Sequence, residues 1–428
     1  MSKLALHGGK KVRTIPFPSQ SGPDGSYTHL AESVLESKIL SGFRGNASPA
    51  FWGGEYVRKF ERSLENKFGG HGVACNSATS GLWMACNAIG LQPGDEVIVT
   101  PWSMSCSATM PLLFGAIPVF ADIELDYFCL DPEDVRRKIT PRTKAIIAVD
   151  LFGQPMSPEI KEIAVQHDLF LIEDAAQAIG STLNGVPAGL IGDFGVYSYT
   201  QGKHMTAGEG GAVMVADPAM VEMIALSRNH AEAVVKDNQK IFGGYHDMVG
   251  LNLRMTEIQG ALLCRELDRL DNYVKTRQLL VAEIKKVLER HDLYVAPTRK
   301  GATHSYYVLP ILFRNEKMAR ESHLIAEALR AELMPDEIRI DRGVPIGAGY
   351  IDPLYMMPVF QNKTHWAFNL KENEKHYGCY LKDTCPIAEG YQMEGFMLTL
   401  LHGLPLTTAD SQDVIDAFDK VLAYYGSR

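Results

Sequence analysis

The chain has 428 residues, of which 46% are hydrophobic, 22% charged and 9% aromatic, and its 42 Lys and Arg against 51 Asp and Glu leave a formal charge of −9. This composition is ordinary for a globular protein and long enough for two domains with a large core. The acidic balance argues against a nucleic-acid backbone as partner, although a local pocket can still bind a small anion.

Targeting signals and cofactor metals are not indicated by the sequence. No stretch approaches the 18 consecutive apolar residues of a membrane span, and the first 18 residues lack the apolar centre and cleavage site of a signal peptide. We therefore expect a cytoplasmic protein that does not contact membranes and binds no metal. The seven cysteines are widely scattered, and none forms a CxxC pair, so we expect them to be reduced. They are Cys75, Cys86, Cys106, Cys129, Cys264, Cys379 and Cys385.

The central third of the chain alternates between apolar runs and helix-like stretches such as 157–167. Strands that are apolar throughout and alternate with helices predict a mostly parallel sheet covered on both faces. The predicted strands are 96–100, 117–120, 144–149, 169–172, 196–199 and 212–215. In such a sheet ligands bind beyond the carboxyl ends of the strands.

A long helix is predicted over 256–291, with Leu263, Leu267, Leu270 and Val274 on one face and polar residues such as Glu266 on the other. A second, smaller α/β unit follows. Its predicted parts are a strand in 305–313, a helix over 321–333, an irregular stretch over 343–364, a strand over 395–401 and a helix over 411–425. We place the large domain, with an N-terminal arm, in 1–270 and the smaller domain in 271–428.

Small and hydroxylated residues at 75–81 precede a helical stretch. Free backbone N–H groups at a helix start form an anion site. Most clusters of Ser and Thr before a helix are plain N-caps. Both interpretations stay open at this point.

Three further segments carry candidate polar groups. Asp174 follows the buried run LFLI, where a carboxylate must be paired or must cap the next turn. Lys203 lies between two strand-like runs, either as a solvated lysine or as a half-buried nucleophile or base. The segment 250–257 opens the long helix and has a capping pattern.

Together these motifs resemble the DegT/DnrJ/EryC1/StrS family of PLP-dependent sugar and cyclitol aminotransferases, which have the aspartate aminotransferase fold. The resemblance extends from about Ser41 to the end of the chain. Its most specific part is Ser198 five residues before Lys203, with four residues between Lys203 and GEGG. The runs DLFGQP (150–155), EDAAQAIGS (173–181) and GLNLRMTEIQGA (250–261) follow in the expected order.

The resemblance implies pyridoxal 5′-phosphate (PLP, with its amino form PMP) as cofactor. Lys203 would form the internal aldimine and move the proton between cofactor and substrate carbon. Asp174 would pair with the pyridine nitrogen and keep it protonated, so that the ring acts as an electron sink. Gln177 would bond the ring hydroxyl.

The same resemblance implies a phosphate site at Ala78, Thr79 and Ser198. It places Asn252 and Arg254 at a dimer interface, where they would reach towards the neighbour's phosphate or substrate. It therefore implies a homodimer with shared active sites. The C-terminal unit, including 350–355 and His402, would shape the acceptor pocket.

Some positions differ from the family pattern. The family usually stacks an aromatic ring on the pyridine where this chain has Met104; either Met104, which is polarizable, or Trp102 would supply this contact. Ala78 and Ala231 stand where the family has Gly.

The lysine decides the predicted reaction. A related branch has His in its place and acts as a sugar dehydratase, whereas position 203 is Lys; His204 is expected to point the other way along a strand. We expect ping-pong transfer of an amino group from glutamate or glutamine to a keto sugar or cyclitol. The stretch QGKHMTAGEGG resembles the cyclitol and aminohydroxybenzoate members. A PLP- or PMP-dependent dehydratase and a non-catalytic PLP-binding regulator are the alternatives.

Overall fold

The computed structural model describes residues 3–17, 25–232, 248–336, 343–374, 380–394, 396–400 and 408–427. Helices and strands alternate along most of this length. The helices are α1 Thr28–Ser37, α2 Glu55–Phe68, α3 Ala78–Ala88, α4 Ser105–Thr109, α5 Pro132–Lys138, α6 Pro158–Gln166, α7 Val221–Arg228, α8 Glu257–Glu289, α9 Glu316–Arg320, α10 Ser322–Glu332, α11 Pro358–Gln361, α12 Pro386–Glu394 and α13 Thr408–Gly426.

The strands belong to two large sheets and one short hairpin. They are β1 His71–Cys75, β2 Glu96–Val99, β3 Ile117–Phe120, β4 Thr143–Val149, β5 Phe170–Asp174, β6 Thr182–Leu183, β7 Val186–Pro187, β8 Phe194–Ser198, β9 Gly211–Val215, β10 Leu293–Val295, β11 Val308–Phe313, β12 Ile346–Ala348 and β13 Phe396–Leu400.

The larger sheet has the strand order β1-β9-β8-β5-β4-β2-β3. Strands β8, β5, β4, β2 and β3 run parallel, as their apolar sequences predict. Strand β9 is antiparallel to both of its neighbours, and β1, which was not among the predicted strands, extends this edge. The expected α/β fold with a mostly parallel sheet is confirmed.

The second sheet is antiparallel, in the order β10-β11-β13-β12, and packs with α10, α13 and the C-terminal half of α8 around its own core. Helix α8 runs without interruption through residue 270. The division into 1–270 and 271–428 therefore stays a prediction.

The N-terminal segment packs with the second core, and part of the segment between α10 and α13 packs with the first core. Leu4 and Phe17 pack with the second core, and Arg13 forms a 2.8 Å ion pair with Asp410. From the segment between α10 and α13, the Tyr380 hydroxyl donates a hydrogen bond to the Pro118 carbonyl over 2.9 Å, and Tyr355 is buried in the first core. Segments distant in sequence thereby approach the large sheet.

Several expectations of local structure are wrong. Residues 305–307, predicted as strand, precede β11 as irregular chain. Glu266, predicted on the polar face of α8, is 2% exposed and faces the protein interior. Within the described residues no helix is long and apolar enough to cross a membrane.

Candidate active site

Candidate polar residues converge where the parallel strands end. Asp174 is the last residue of β5 and Ser198 the last residue of β8, and these strands are adjacent and parallel. The carboxyl edge of a parallel sheet is the usual place for a ligand. The first turn of α3 reaches the same edge through its contact with β9.

The Asp174 carboxylate is buried and accepts two hydrogen bonds. Its side chain is 4% exposed. Ser107 Oγ lies 2.6 Å from one oxygen and the Ala176 amide nitrogen 3.2 Å from the other. Burial raises the pKa of Asp174, while the Ser107 bond and the positive charge of Lys203 oppose that rise. The carboxylate is therefore held within electrostatic reach of the Lys203 amine.

Lys203 is buried, which excludes the interpretation of a solvated surface lysine. Its residue exposure is 6%, and its amide donates to the Thr200 carbonyl over 2.9 Å within a tight turn. The side-chain Nζ lies 4.3 Å from the centre of the Tyr307 ring. A buried amine beside a carboxylate and an aromatic face is a suitable nucleophile or base.

The turn that carries Lys203 is supported from behind by Glu266. Its carboxylate accepts a 3.0 Å hydrogen bond from the Thr206 amide and a 2.5 Å bond from the Tyr27 hydroxyl. The Thr206 hydroxyl in turn donates to the Tyr199 carbonyl over 3.0 Å. Because these partners come from three elements, the position of the lysine depends on tertiary packing.

His204 does not lie on a strand, contrary to expectation. Residues 201–205 form a turn. The His204 Nε2 is 3.0 Å from the Ser305 carbonyl oxygen, and its ring centre is 5.9 Å from that of Tyr307. Both Lys203 and His204 therefore approach the segment that precedes β11.

The N-terminus of α3 faces Ser198 across the end of β9. Ser77 caps the helix, since its hydroxyl accepts the Ser80 amide at 3.1 Å. The first-turn amides of Ala78 and Thr79 are not used by the helix itself. Gly211, which pairs with Ser198, approaches so closely that an added Cβ would lie 2.6 Å from the Ala78 nitrogen. A capped helix start can still bind an anion through its free amides, so the Ser77 cap is compatible with the predicted phosphate site.

Gln177, three residues after the end of β5, is held by contacts with Phe152 and Tyr350. Its Oε1 accepts the Phe152 amide at 2.8 Å, and its Nε2 lies 3.5 Å from the Tyr350 hydroxyl. Tyr350 also packs edge-on against Phe152 and Trp102, with ring centres 5.0 and 5.8 Å apart. An aromatic group from the C-terminal part of the chain therefore adjoins a predicted cofactor residue.

Met104 and Trp102 differ in their surroundings. Met104 is 64% exposed and precedes α4, the helix that carries Ser107. Trp102 is fully buried and lies against Phe128, with ring centres 6.4 Å apart. Of these two residues, Met104 has its side chain outside the protein core, and Trp102 has its side chain inside it.

Asn252 and Arg254 lie beside the loop before α3 but away from the core. Asn252 is exposed and forms a bridge to Asn229. The guanidinium of Arg254 donates to Asn229 Oδ1 with its Nε at 2.8 Å. The Leu253 carbonyl between them accepts the Asn76 amide at 2.9 Å. His402 lies outside the described residues.

The two alanines that stand where the family has glycine differ in backbone conformation. Ala78 is the first residue of a regular helix, where Ala is well tolerated. Ala231 has φ +57°, a conformation that glycine adopts more easily. The family's glycine at that position therefore has a conformational reason.

Ser107, Tyr307 and Glu266 were not predicted as site residues, whereas Tyr350 lies in the stretch 350–355 that was expected to shape the acceptor pocket. Ser107 could have been suspected as a hydroxyl in the segment that follows β2. Tyr307 and Glu266 come from distant segments, and their sequence surroundings contain no motif. Among the described residues, no group of three or more His, Cys, Asp or Glu side chains is arranged to hold a metal ion.

Comparison with known proteins connects this geometry to a family. The sequence profile of the DegT/DnrJ/EryC1/StrS aminotransferase family matches residues 46–418. The chain is 30% identical to L-glutamine:2-deoxy-scyllo-inosose aminotransferase of Streptomyces kanamyceticus, over 99% of this chain and 97% of that protein. It is 31% identical to GDP-perosamine synthase of Caulobacter vibrioides, over 86% and 91% of the two chains.

A solved structure shows the same similarity. The aminotransferase from Psychrobacter cryohalolentis superposes with a TM-score of 0.79 at 27% identity, covering 96% of this chain and 99% of that one. The predicted family and the predicted enzyme class are confirmed. The chain belongs to the DegT/DnrJ/EryC1/StrS aminotransferase family of sugar and cyclitol aminotransferases.

Proposed function

We propose that this aminotransferase binds PLP and transfers an amino group from glutamate or glutamine to the keto group of a cyclitol or sugar, in two half-reactions with PMP between them. The observation that carries the proposal is the buried Lys203 amine, held within electrostatic reach of the buried Asp174 carboxylate at one end of the sheet.

The residues at this edge fit PLP in chemistry and in arrangement. A pyridine nitrogen that keeps its proton requires a buried anion, which Asp174 supplies. A phosphate dianion requires N–H and O–H donors, and the first turn of α3 and the Ser198 hydroxyl supply them. Gln177 would bond the ring hydroxyl, and Met104 would pack on the ring face.

When bound, PLP supplies the electron sink that stabilises negative charge at the substrate carbon. The chain supplies the proton transfer. The Lys203 Nζ would take the proton from the donor's carbon and give one to the acceptor's carbon. Because this amine is buried, water has little access to it.

The proposed acceptor is a cyclitol or a keto sugar without a nucleotide. Two observations support it: the QGKHMTAGEGG segment and the 2-deoxy-scyllo-inosose aminotransferase, to which the chain is similar over nearly its full length. The GDP-perosamine synthase similarity keeps nucleotide-linked keto sugars as the second candidate class.

A homodimer is also proposed. Asn252 and the half-buried Arg254 are not needed for the core of one chain, and the neighbouring Val249 and Leu251 are 69% and 42% exposed. Exposed apolar side chains beside polar groups are typical of an interface. In a dimer with shared active sites, Asn252 and Arg254 would reach the active site of the neighbouring subunit. The cytoplasmic location stays a prediction.

A spectroscopic titration tests the function. Glutamate or glutamine added to the PLP-loaded enzyme should bleach the visible band of lysine-bound PLP, and the correct ketone should restore it. Keto-cyclitols and nucleotide-linked keto sugars are offered in parallel to the PMP-loaded form. An unchanged band with every donor would favour the regulatory alternative, and loss of a sugar hydroxyl without amine transfer would favour the dehydratase.

Lys203→Ala tests the assigned residue. This variant should retain PMP and lose turnover by several orders of magnitude, while Lys161→Ala, which removes a half-exposed amine paired with Asp193, should keep full activity. Turnover by Lys203→Ala at the wild-type rate would contradict the proposal.

A further inference from the structure

The irregular segment His304–Tyr307, which we call the strap, connects the second core to the active site. We propose that Tyr307 is a catalytic residue that holds the free Lys203 amine against its ring face whenever that amine is not bonded to the cofactor. This inference rests on the proposed function of Lys203 and assigns a role that the strand-edge motifs do not contain.

The geometry is that of a cation–π contact. The Lys203 Nζ lies 4.3 Å from the centre of the Tyr307 ring, inside the limit of about 6 Å for such contacts. Lys203 is 6% exposed, and the attraction between an ammonium and a ring face strengthens when water is excluded. The ring face therefore stabilises the charged amine at a defined position.

The strap holds the ring in place through main-chain contacts on both sides. The Ser305 amide donates to the Gly153 carbonyl over 3.1 Å, and the Ser305 hydroxyl lies 3.4 Å from the Gln177 carbonyl oxygen. His204 Nε2 contacts the Ser305 carbonyl at 3.0 Å. The strap is thus joined to the same motifs that carry Gln177 and Lys203.

Gly153 makes this approach possible. Its φ is +101°, and a Cβ there would lie 2.6 Å from Ser305 Oγ and 3.0 Å from the Tyr307 nitrogen. The DLFGQP motif therefore provides the space into which the strap packs. The position of the Tyr307 ring therefore depends both on the DLFGQP motif and on the strap, which is distant from it in sequence.

The charges around the amine explain why a ring is suitable there. Asp174 acts on Lys203 through its charge, and the buried Arg277, whose pKa burial lowers to about 10, donates to the carbonyl of Tyr306, next to Tyr307, over 3.3 Å. Among the described residues, no carboxylate forms an ion pair with Nζ at 4.0 Å or less. A ring face attracts the ammonium but offers no acceptor once the amine is neutral, so it does not hinder the return of the amine to the cofactor.

Competitive acetylation of the apoenzyme tests this contact without cofactor or turnover. Acetic anhydride consumes the uncharged amine, and mass spectrometry gives the labelling of Lys203 relative to the exposed Lys317. Tyr307→Leu removes the ring face and should raise this ratio about tenfold. Tyr307→Phe keeps the ring face and should stay within about twofold of wild type.

Tyr350→Leu is the matched control for access, since it removes another tyrosine of the pocket that does not contact Nζ. An equal rise in Tyr350→Leu and Tyr307→Leu would assign the effect to access of the reagent and overturn the proposal. So would an unchanged ratio in Tyr307→Leu, or a Phe variant that behaves like the Leu variant. These outcomes are independent of Lys203→Ala, which tests the proposed function itself.

Discussion

Two parts of the active site are built in different ways. The sheet-edge group, Asp174, Ser198 and the first turn of α3, is contributed by residues 78–198 at the ends of elements within one sheet and its flanking helix. The strap reaches the site from beyond α8, roughly a hundred residues after Lys203, and is held by Gly153, Gln177 and His204.

Local sequence is sufficient to predict the positions of the sheet-edge residues, but not the position of the strap. A strand end positions its last side chain by the sheet register alone, so Asp174 and Ser198 follow from the strand pattern. The strap has no regular structure, and its position depends on close packing against one glycine. We expect substitutions in the sheet-edge group to weaken PLP binding or to lower kcat. Substitutions that displace the strap should lower kcat more than they weaken PLP binding.

The largest effect is expected for Asp174→Asn. The amide cannot form the ion pair that keeps the ring nitrogen protonated, so kcat should fall about 10²–10³-fold or more. The first half-reaction with glutamate, followed by stopped-flow absorbance, measures this. Asp193→Asn, at the opposite end of β8, is the control and should retain at least half of the activity.

Gly211→Ala tests the phosphate end of the sheet-edge group. The added Cβ would lie 2.4–2.6 Å from backbone atoms of Ser77 and Ala78, and overpacking against backbone costs about 3 kcal/mol. We expect about a hundredfold weaker PLP binding in an equilibrium titration of the apoenzyme. Gly72→Ala in β1, where the nearest atom is a Leu64 side-chain carbon at 3.3 Å, should bind PLP normally. Equal loss in both variants would mean that strand packing in general, rather than the α3 contact, controls binding.

Gly153→Ala tests the strap. Its Cβ would displace the strap at a cost of about 2 kcal/mol, which corresponds to roughly a thirtyfold lower kcat with PLP binding nearly unchanged. Gly185→Ala is closely matched, because Gly185 has φ +83° and no atom within 4 Å of the added Cβ. If both variants lose activity equally, backbone strain alone explains the result, and the comparison between the two parts fails.

A smaller effect is expected on the free energy of unfolding, which should depend on pH through His304 in the strap. Burial lowers the pKa of His304 from 6.5 to about 3, and its Nδ1 accepts the Tyr306 amide at 2.9 Å. Between these two pKa values the unfolded chain binds a proton that the folded chain does not bind, so this group makes the protein less stable as the pH falls below 6.5. At pH 5.5 the loss is about 1.4 kcal/mol.

His304→Asn keeps an acceptor for the Tyr306 amide and cannot titrate. The free energy of unfolding in urea, compared between pH 7.5 and pH 5.5, should fall by about 1.4 kcal/mol more in wild type than in this variant. The same change in both proteins would show that His304 is protonated in the folded state.

Much of the fold and part of the site could be predicted from the sequence. The parallel strands, α6, α8 and α13 followed from apolar periodicity, and the family followed from the motifs around Lys203. Strand β1 was missed because HGVAC is short and contains glycine, and 305–307 was assigned to β11 because its apolar pattern continues into the strand. The roles of individual site residues stay predictions that the experiments above address.

The burial of charged groups could not be predicted from periodicity. Glu266 occupies a polar position in the helical pattern of α8, yet it accepts hydrogen bonds from Thr206 and Tyr27 in the interior. A helical pattern assigns faces by average hydrophobicity, and it does not contain the partners that compensate a buried carboxylate.

The sequence by itself determined the sheet, the family and the residues at the strand ends, because each depends on neighbours within one motif. Only the tertiary structure decided that Lys203 is buried, that its amine faces the Tyr307 ring, that Tyr350 contacts Gln177, and that Gly153 admits the strap. The physical reason is that these features depend on contacts between segments about 60 to 170 residues apart. The balance between burial, hydrogen bonding and close packing at such contacts has no local sequence pattern.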